Sequence, residues 1–101
     1  MFFKKVPSIS TKELEKNLPN KPLIIDVREP NEFKGGHIPG SKNIPLSKIG
    51  SVKSKERIYL VCASGMRSKR ATKQLISQGL DAVNVSRGMS AWTGSRRGGT
   101  L

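Results

Sequence analysis

Three compact apolar runs constrain this chain more than anything else in it: Leu23-Ile24-Ile25-Asp26-Val27, Ile58-Tyr59-Leu60-Val61-Cys62 and Ala82-Val83-Asn84-Val85. Each is too short for a buried helix and is bounded by turn-forming residues, as strands covered on both faces are. The segments between them carry helical signals. Ser10-Thr11-Lys12-Glu13 has the spacing of a capping box ahead of Leu14 and Leu18, with Pro19-Asn20 as the stop. Glu29 to Phe33 supports one helical turn, broken by Gly35-Gly36, and Leu46 to Ile49 suggests another short helix. Ser68 to Gln78 reads as a longer helix with Ala71, Leu75 and Ile76 on one side and Gly79 as its end. Asn43-Ile44 reads as a two-residue strand and Met89 to Trp92 as a last helical turn. Strands alternating with helices predict an α/β fold with a parallel sheet covered on both faces.

At 101 residues the chain is expected to form one domain. One cysteine excludes an intrachain disulfide framework, and one cysteine with one histidine argues against a structural zinc site. No apolar run approaches the ~20 residues of a membrane-spanning helix, and Met1-Phe2-Phe3-Lys4-Lys5 has its charges in the reverse order of a signal peptide. A cytoplasmic setting, where a free thiol stays reduced, is expected. Residues 94–101, rich in glycine and arginine, are expected to be a flexible basic tail beyond a domain of residues 1–93.

Charge is the compositional outlier: 19 Lys and Arg against 7 Asp and Glu give +12 at pH 7. Such a field attracts anions without choosing among nucleic acid, acidic proteins and small substrates. Three Phe, one Tyr and one Trp offer little for stacking on single-stranded nucleic acid, which disfavours that partner.

The informative segment is Cys62-Ala63-Ser64-Gly65-Met66-Arg67-Ser68, at the handover from a buried strand to a helix. Ligand sites of open parallel sheets lie beyond the carboxyl ends of strands. Backbone N–H groups and the helix dipole there favour negative charge, and a thiol so placed ionises more readily than free cysteine. Gly65 lets the backbone curl so that successive N–H groups face inward. No acidic residue occurs from Arg57 through Leu80, while Arg67, Lys69, Arg70 and Lys73 crowd the loop and the helix start. Such crowding opposes the helix dipole, and it is expected to act as a cationic collar that stabilises a thiolate or draws in an anion.

These residues carry a family resemblance. Asp26-Val27-Arg28-Glu29-Pro30, Glu32-Phe33, Gly36-His37-Ile38-Pro39-Gly40, Asn43-Ile44-Pro45, the Cys62 loop, and Gly88-Met89 leading to Ala91-Trp92 occur in the order and spacing of single-domain rhodaneses. The chain resembles that family from its first helix to Trp92. It departs at Arg87, where the family often has the first glycine of a Gly-Gly pair, and at Ser41, where alanine is usual. The resemblance implies a rhodanese-like α/β fold with a central, mainly parallel, five-stranded sheet flanked by helices on both faces. It also implies Cys62 as the persulfide-forming nucleophile. The six residues from Cys62 to Arg67 resemble the sulfurtransferase loop rather than the longer loop of related dual-specificity phosphatases.

The expected activity is sulfur transfer: Cys62 takes the outer sulfur of a small anionic donor such as thiosulfate. The N–H groups of Ala63, Ser64, Gly65, Met66, Arg67 and Ser68 hold the persulfide, and a thiol, cyanide or acidic protein accepts it. No metal or cofactor is required, because a thiol can be ionised by its surroundings. Asp26 and Arg28 are expected to brace the active-site loop, His37 to make a structural hydrogen bond, and Trp92 to anchor the core with its N–H bonded. The alternative is a sulfur-relay or interaction module that docks an acidic protein or tRNA through its basic surface.

Overall fold

The computed structural model describes residues 5–99. Thr100, Leu101 and the first four residues, on which part of the tail and leader expectations fall, lie outside the described residues. Five strands, β1 (Ser8–Ile9), β2 (Leu23–Asp26), β3 (Lys42–Asn43), β4 (Ile58–Val61) and β5 (Ala82–Val85), form one sheet in the order β1-β5-β4-β2-β3. Every pairing is parallel, with Ile25 opposite Leu60 and Leu60 opposite Asn84. The chain winds outward from β2 to β3, then returns to place β4 on the other side of β2 and continues to β5. The winding direction therefore reverses between β2 and β4, the place where α/β sheets open a crevice at their carboxyl ends. Cys62 is the residue that follows β4.

Alternation along the strands sends side chains to two cores. Ile25, Ile58, Leu60, Ala82 and Cys62 pack with Ala71 and Leu75 of α3 (Met66–Ser77) and with Ile49 of a 3-10 turn, Leu46–Ser51. Ile24, Val61 and Val85 face the other way, onto Leu14 of α1 (Thr11–Asn17) and Met89 of α4 (Gly88–Ala91), with Trp92 beside them. Both faces are therefore covered, as the strand pattern predicts.

Local signals explain the helix starts. Ser10 caps α1 by accepting the Glu13 N–H at 3.1 Å. Helix α2 (Pro30–Lys34) carries the complete capping box, with Glu29 and Glu32 reciprocally bonded and proline in its first turn. The short strands β1 and β3 are two residues each, and the apolar pattern misses β1 altogether. Helix α3 starts at Met66, two residues before the expected Ser68, because Gly65 at φ +100° turns the chain directly into it. Ile76 is a correction: it is 41% exposed, whereas Ser68, Ala71, Thr72 and Leu75 form the buried stripe. Those four follow the i, i+3, i+4, i+7 spacing of one helix face, and Ile76 falls beyond its margin.

Contacts do not stop at residue 93. Arg97 pairs with His37 in an antiparallel bridge, the Gly99 N–H donates to the Lys34 carbonyl at 2.9 Å, and Arg96 donates to the carbonyls of Met89 and Trp92. The Trp92 indole N–H donates to the Ser95 carbonyl at 2.9 Å.

Candidate active site

Cys62 is 1% exposed and stands at the floor of a loop that closes over it. The Gly65 N–H donates to its Sγ at 3.0 Å, and the Ser68 hydroxyl lies 3.3 Å from Sγ. Burial pushes the thiol up. The Ser68 hydroxyl, followed by the N–H groups of Ser68, Gly65 and Ser64, outweighs burial and leaves the thiol below its ordinary value. The loop thus brings Ser64, Gly65 and Ser68 against Cys62. Ala63 is half-buried and its carbonyl accepts the Ser90 N–H at 2.9 Å, while the Met66 side chain is 69% exposed.

The expected cationic collar needs correction at Arg67. Its guanidinium is engaged by Glu32 of α2 through two parallel bonds of 2.7 and 2.9 Å. The Arg67 fork holds the Glu32 carboxyl well down, from 4.5 to about 2, against the opposing effect of burial. Arg67 is therefore a neutralised clamp between α2 and the start of α3, and hydrogen bonds rather than a free cation dominate the thiol's shift. The acid is remote in sequence, which is why the acid-free stretch 57–80 gave no sign of it.

Asp26 and Arg28 form a buried ion pair with N···O 2.8 Å. Arg28 also donates to the Gly36 carbonyl at 2.7 Å, and the Asn43 side chain donates to the carbonyls of Asp26 and Arg28. The side-chain brace thus ties the end of β2 to the Gly36 turn and to β3. Among the described residues, the hydrogen bond from this segment toward Cys62 runs through backbone, the Val27 N–H donating to the Val61 carbonyl at the end of β4. His37 stacks on Phe33 with ring centroids 3.7 Å apart, and its Nδ1 lies 2.8 Å from the Phe33 carbonyl oxygen.

Two further residues shape the loop. Asn84, at the end of β5, places Oδ1 2.6 Å from the Ser68 hydroxyl oxygen. The polar signal was present, since asparagine interrupts a four-residue strand that is buried throughout. Gly88 backs the loop so closely that a Cβ there would overlap the Cys62 carbonyl oxygen, and the next N–H, of Met89, donates to that oxygen at 2.8 Å. Arg87 keeps the left-handed backbone, φ +65°, that suits the glycine usual in the resemblance. The arginine adds a cation to the rim of the cavity beside the loop.

A family model described as Rhodanese-like domain matches residues 10–95. The chain is 44% identical over 79 residues to the uncharacterized protein YqhL of Bacillus subtilis, covering 73% of this chain and 63% of that protein, less than two thirds of its length. It is 36% identical over 99 residues to the putative sulfurtransferase YtwF of the same organism, covering 91% of this chain and 95% of the relative. A crystal structure of a rhodanese-like domain protein from Staphylococcus aureus superposes with TM-score 0.80 at 41% identity, covering 89% of this chain and 93% of that one. This chain belongs to the rhodanese-like domain family.

Proposed function

We propose that the chain transfers sulfane sulfur through a persulfide on Cys62, with thiosulfate or a similar small anion as donor. The observation that carries this reading is the Cys62 sulfur itself: buried, lowered in pKa, and met by the Gly65 N–H and the Ser68 hydroxyl. The thiolate attacks the outer sulfur of thiosulfate, an S–S bond forms as the donor's S–S bond breaks, and sulfite leaves with the bonding pair. A thiolate or cyanide then attacks the terminal sulfur and restores the Cys62 thiolate. Charge is conserved in both steps, and no metal or general base is needed. Ser64, Gly65 and Ser68 supply hydrogen bonds to the sulfur. A reducing, cytoplasmic setting suits a lone thiol that must remain free.

Intact-mass measurement after incubation with thiosulfate tests the reading. One added sulfur, removed by cyanide and absent from Cys62→Ser, is expected, together with loss of turnover in that variant. An unmodified wild-type chain, or turnover by Cys62→Ser near the wild-type level, would overturn it.

A second reading has its own observation. Lys69, Arg70, Lys73 and Arg87 are exposed and belong to none of the ion pairs among the described residues. A module relaying sulfur to an acidic protein or tRNA through this surface would show turnover with the macromolecular acceptor falling steeply with salt. Turnover with cyanide would fall less.

A further inference from the structure

We propose that the cavity on the β1–β5 side of the Cys62 loop is a binding site for a small polyanion carrying two or more phosphate groups. The cavity has a volume of about 670 Å³, within the range of small-molecule sites. Cys62 does not line it. The loop forms one wall through Ser64, Gly65 and Met66, so the cavity lies beside the thiol and is far larger than a thiosulfate ion requires.

Its chemistry is one-sided. Lys5 comes from the segment before β1, Lys69 and Lys73 from successive turns of α3, and Arg87 from the turn after β5; no acidic residue lines the cavity. None of the four cations takes part in an ion pair among the described residues. Holding Lys69 and Lys73 one turn apart on the same helix is unfavourable unless an anion lies between them and the facing cations. This convergence differs from a solvated basic face, because three separate chain segments aim their charges at one concavity.

An independent observation comes from its inner wall. Asn84 is 5% exposed and lines the cavity. Its Oδ1 is engaged by the Ser68 hydroxyl, while its Nδ2 has no hydrogen-bond partner among the described residues. That amide NH2 opens onto the cavity and can donate to an anionic oxygen entering it. The hydroxyls of Ser64 and Ser86 stand on the same walls. Tetrahedral phosphate oxygens accept from several ammonium, amide and hydroxyl donors at once. The concavity favours a small molecule, since a flat macromolecular surface does not reach the Asn84 amide.

Inorganic pyrophosphate is the probe, titrated into the full chain at low salt by calorimetry and by proton–nitrogen NMR. One saturable site is expected, with the Asn84 side-chain NH2 resonances shifting along the same isotherm. Lys69→Ala/Lys73→Ala is expected to weaken binding roughly tenfold or more, as losing charge-assisted hydrogen bonds does. Lys53→Ala/Lys55→Ala removes the same charge at exposed positions outside this cavity and is expected to leave binding unchanged. Absence of saturation, equal weakening by both double variants, or Asn84 resonances that stay still would each overturn the site. The readout is binding alone, so its failure and a failure of sulfur transfer are separate results.

Discussion

The Asp26–Arg28 pair is sealed, with side-chain exposures of 0% and 8%, whereas the Glu32–Arg67 pair stands at 37% and 36%. Both flank the thiol's crevice, and both bring an arginine onto a carboxylate. Desolvation separates them. The sealed pair gave up its water, and its groups are satisfied by a network: Asp26 accepts from the Arg28 backbone and side chain, and Arg28 also reaches the Gly36 carbonyl. The half-open pair keeps much of its hydration, so its attraction is screened and contributes little to stability. Its consequence is local: it fixes the first turn of α3 against α2 and removes a free positive charge from the neighbourhood of Cys62. One pair therefore holds the scaffold, and the other sets the electrostatics of the loop.

The largest effect separating them is expected from Arg28→Met. The variant strands a fully buried carboxylate, and loss of one partner of a buried pair costs about 3–5 kcal/mol. Urea denaturation measures it. The double variant Asp26→Leu/Arg28→Met removes both charges and is expected to recover part of the loss, since two apolar groups leave no uncompensated ion. A loss from Arg28→Met no larger than that from Glu32→Gln would break the distinction between the pairs.

Glu32→Gln is expected to cost under about 1 kcal/mol at neutral pH, given the exposure of the pair. Its signature lies in acid. The Glu32 carboxyl is held at about 2 in the fold against an ordinary 4.5. Its depressed value means a stabilisation fully present above 4.5 that fades as the pH falls and is gone below about 2. The difference in stability between wild type and Glu32→Gln should therefore shrink across that window. A difference that stays constant from pH 6 to pH 2, read as shifts in urea midpoint, would show that the pair contributes through packing rather than charge.

The two pairs also mark how far the sequence could be read. Asp26 and Arg28 lie two residues apart at the end of an apolar run, so local spacing suffices to pair them. Glu32 and Arg67 meet only because β4 lies beside β2 in the sheet, a non-local fact that strand patterns alone leave open. The same limit applies to Ser68. Its place after the loop glycine is visible in the chain, but its contact with Asn84 depends on the pairing of β4 with β5. The strands β2, β4 and β5 announce themselves by apolar runs; β3, expected at Asn43-Ile44, lies one residue earlier at Lys42–Asn43, and β1 has two residues and too little side chain to make a pattern. The Cys62 loop was legible because its geometry is local, a strand end, a glycine and a helix start. The acid that neutralises Arg67 and the glycine packed behind Cys62 were not, because each approaches from another element.

The smallest expected effect concerns one proton. The Ser68 hydroxyl has a single hydrogen and three acceptors within reach: Asn84 Oδ1 at 2.6 Å, the Gly65 carbonyl at 3.2 Å and Cys62 Sγ at 3.3 Å. The shortest contact is to Asn84, so the amide competes with the thiolate for that proton. Ser68→Ala removes the donor that does most to favour the thiolate and is expected to raise the thiol pKa. Asn84→Ala removes the competitor, leaves the hydroxyl free to turn toward sulfur, and is expected to lower it. Titration of thiolate ultraviolet absorbance in the two variants gives opposite displacements from wild type. If both move upward, Asn84 orients Ser68 toward the sulfur rather than drawing its proton away, and the competition is disproved. If Ser68→Ala leaves the titration in place, the backbone N–H groups of the loop alone hold the thiolate. The measurement leaves Arg67 in place, its charge paired with Glu32. It therefore asks whether the loop's own hydrogen bonds are sufficient to ionise a buried thiol.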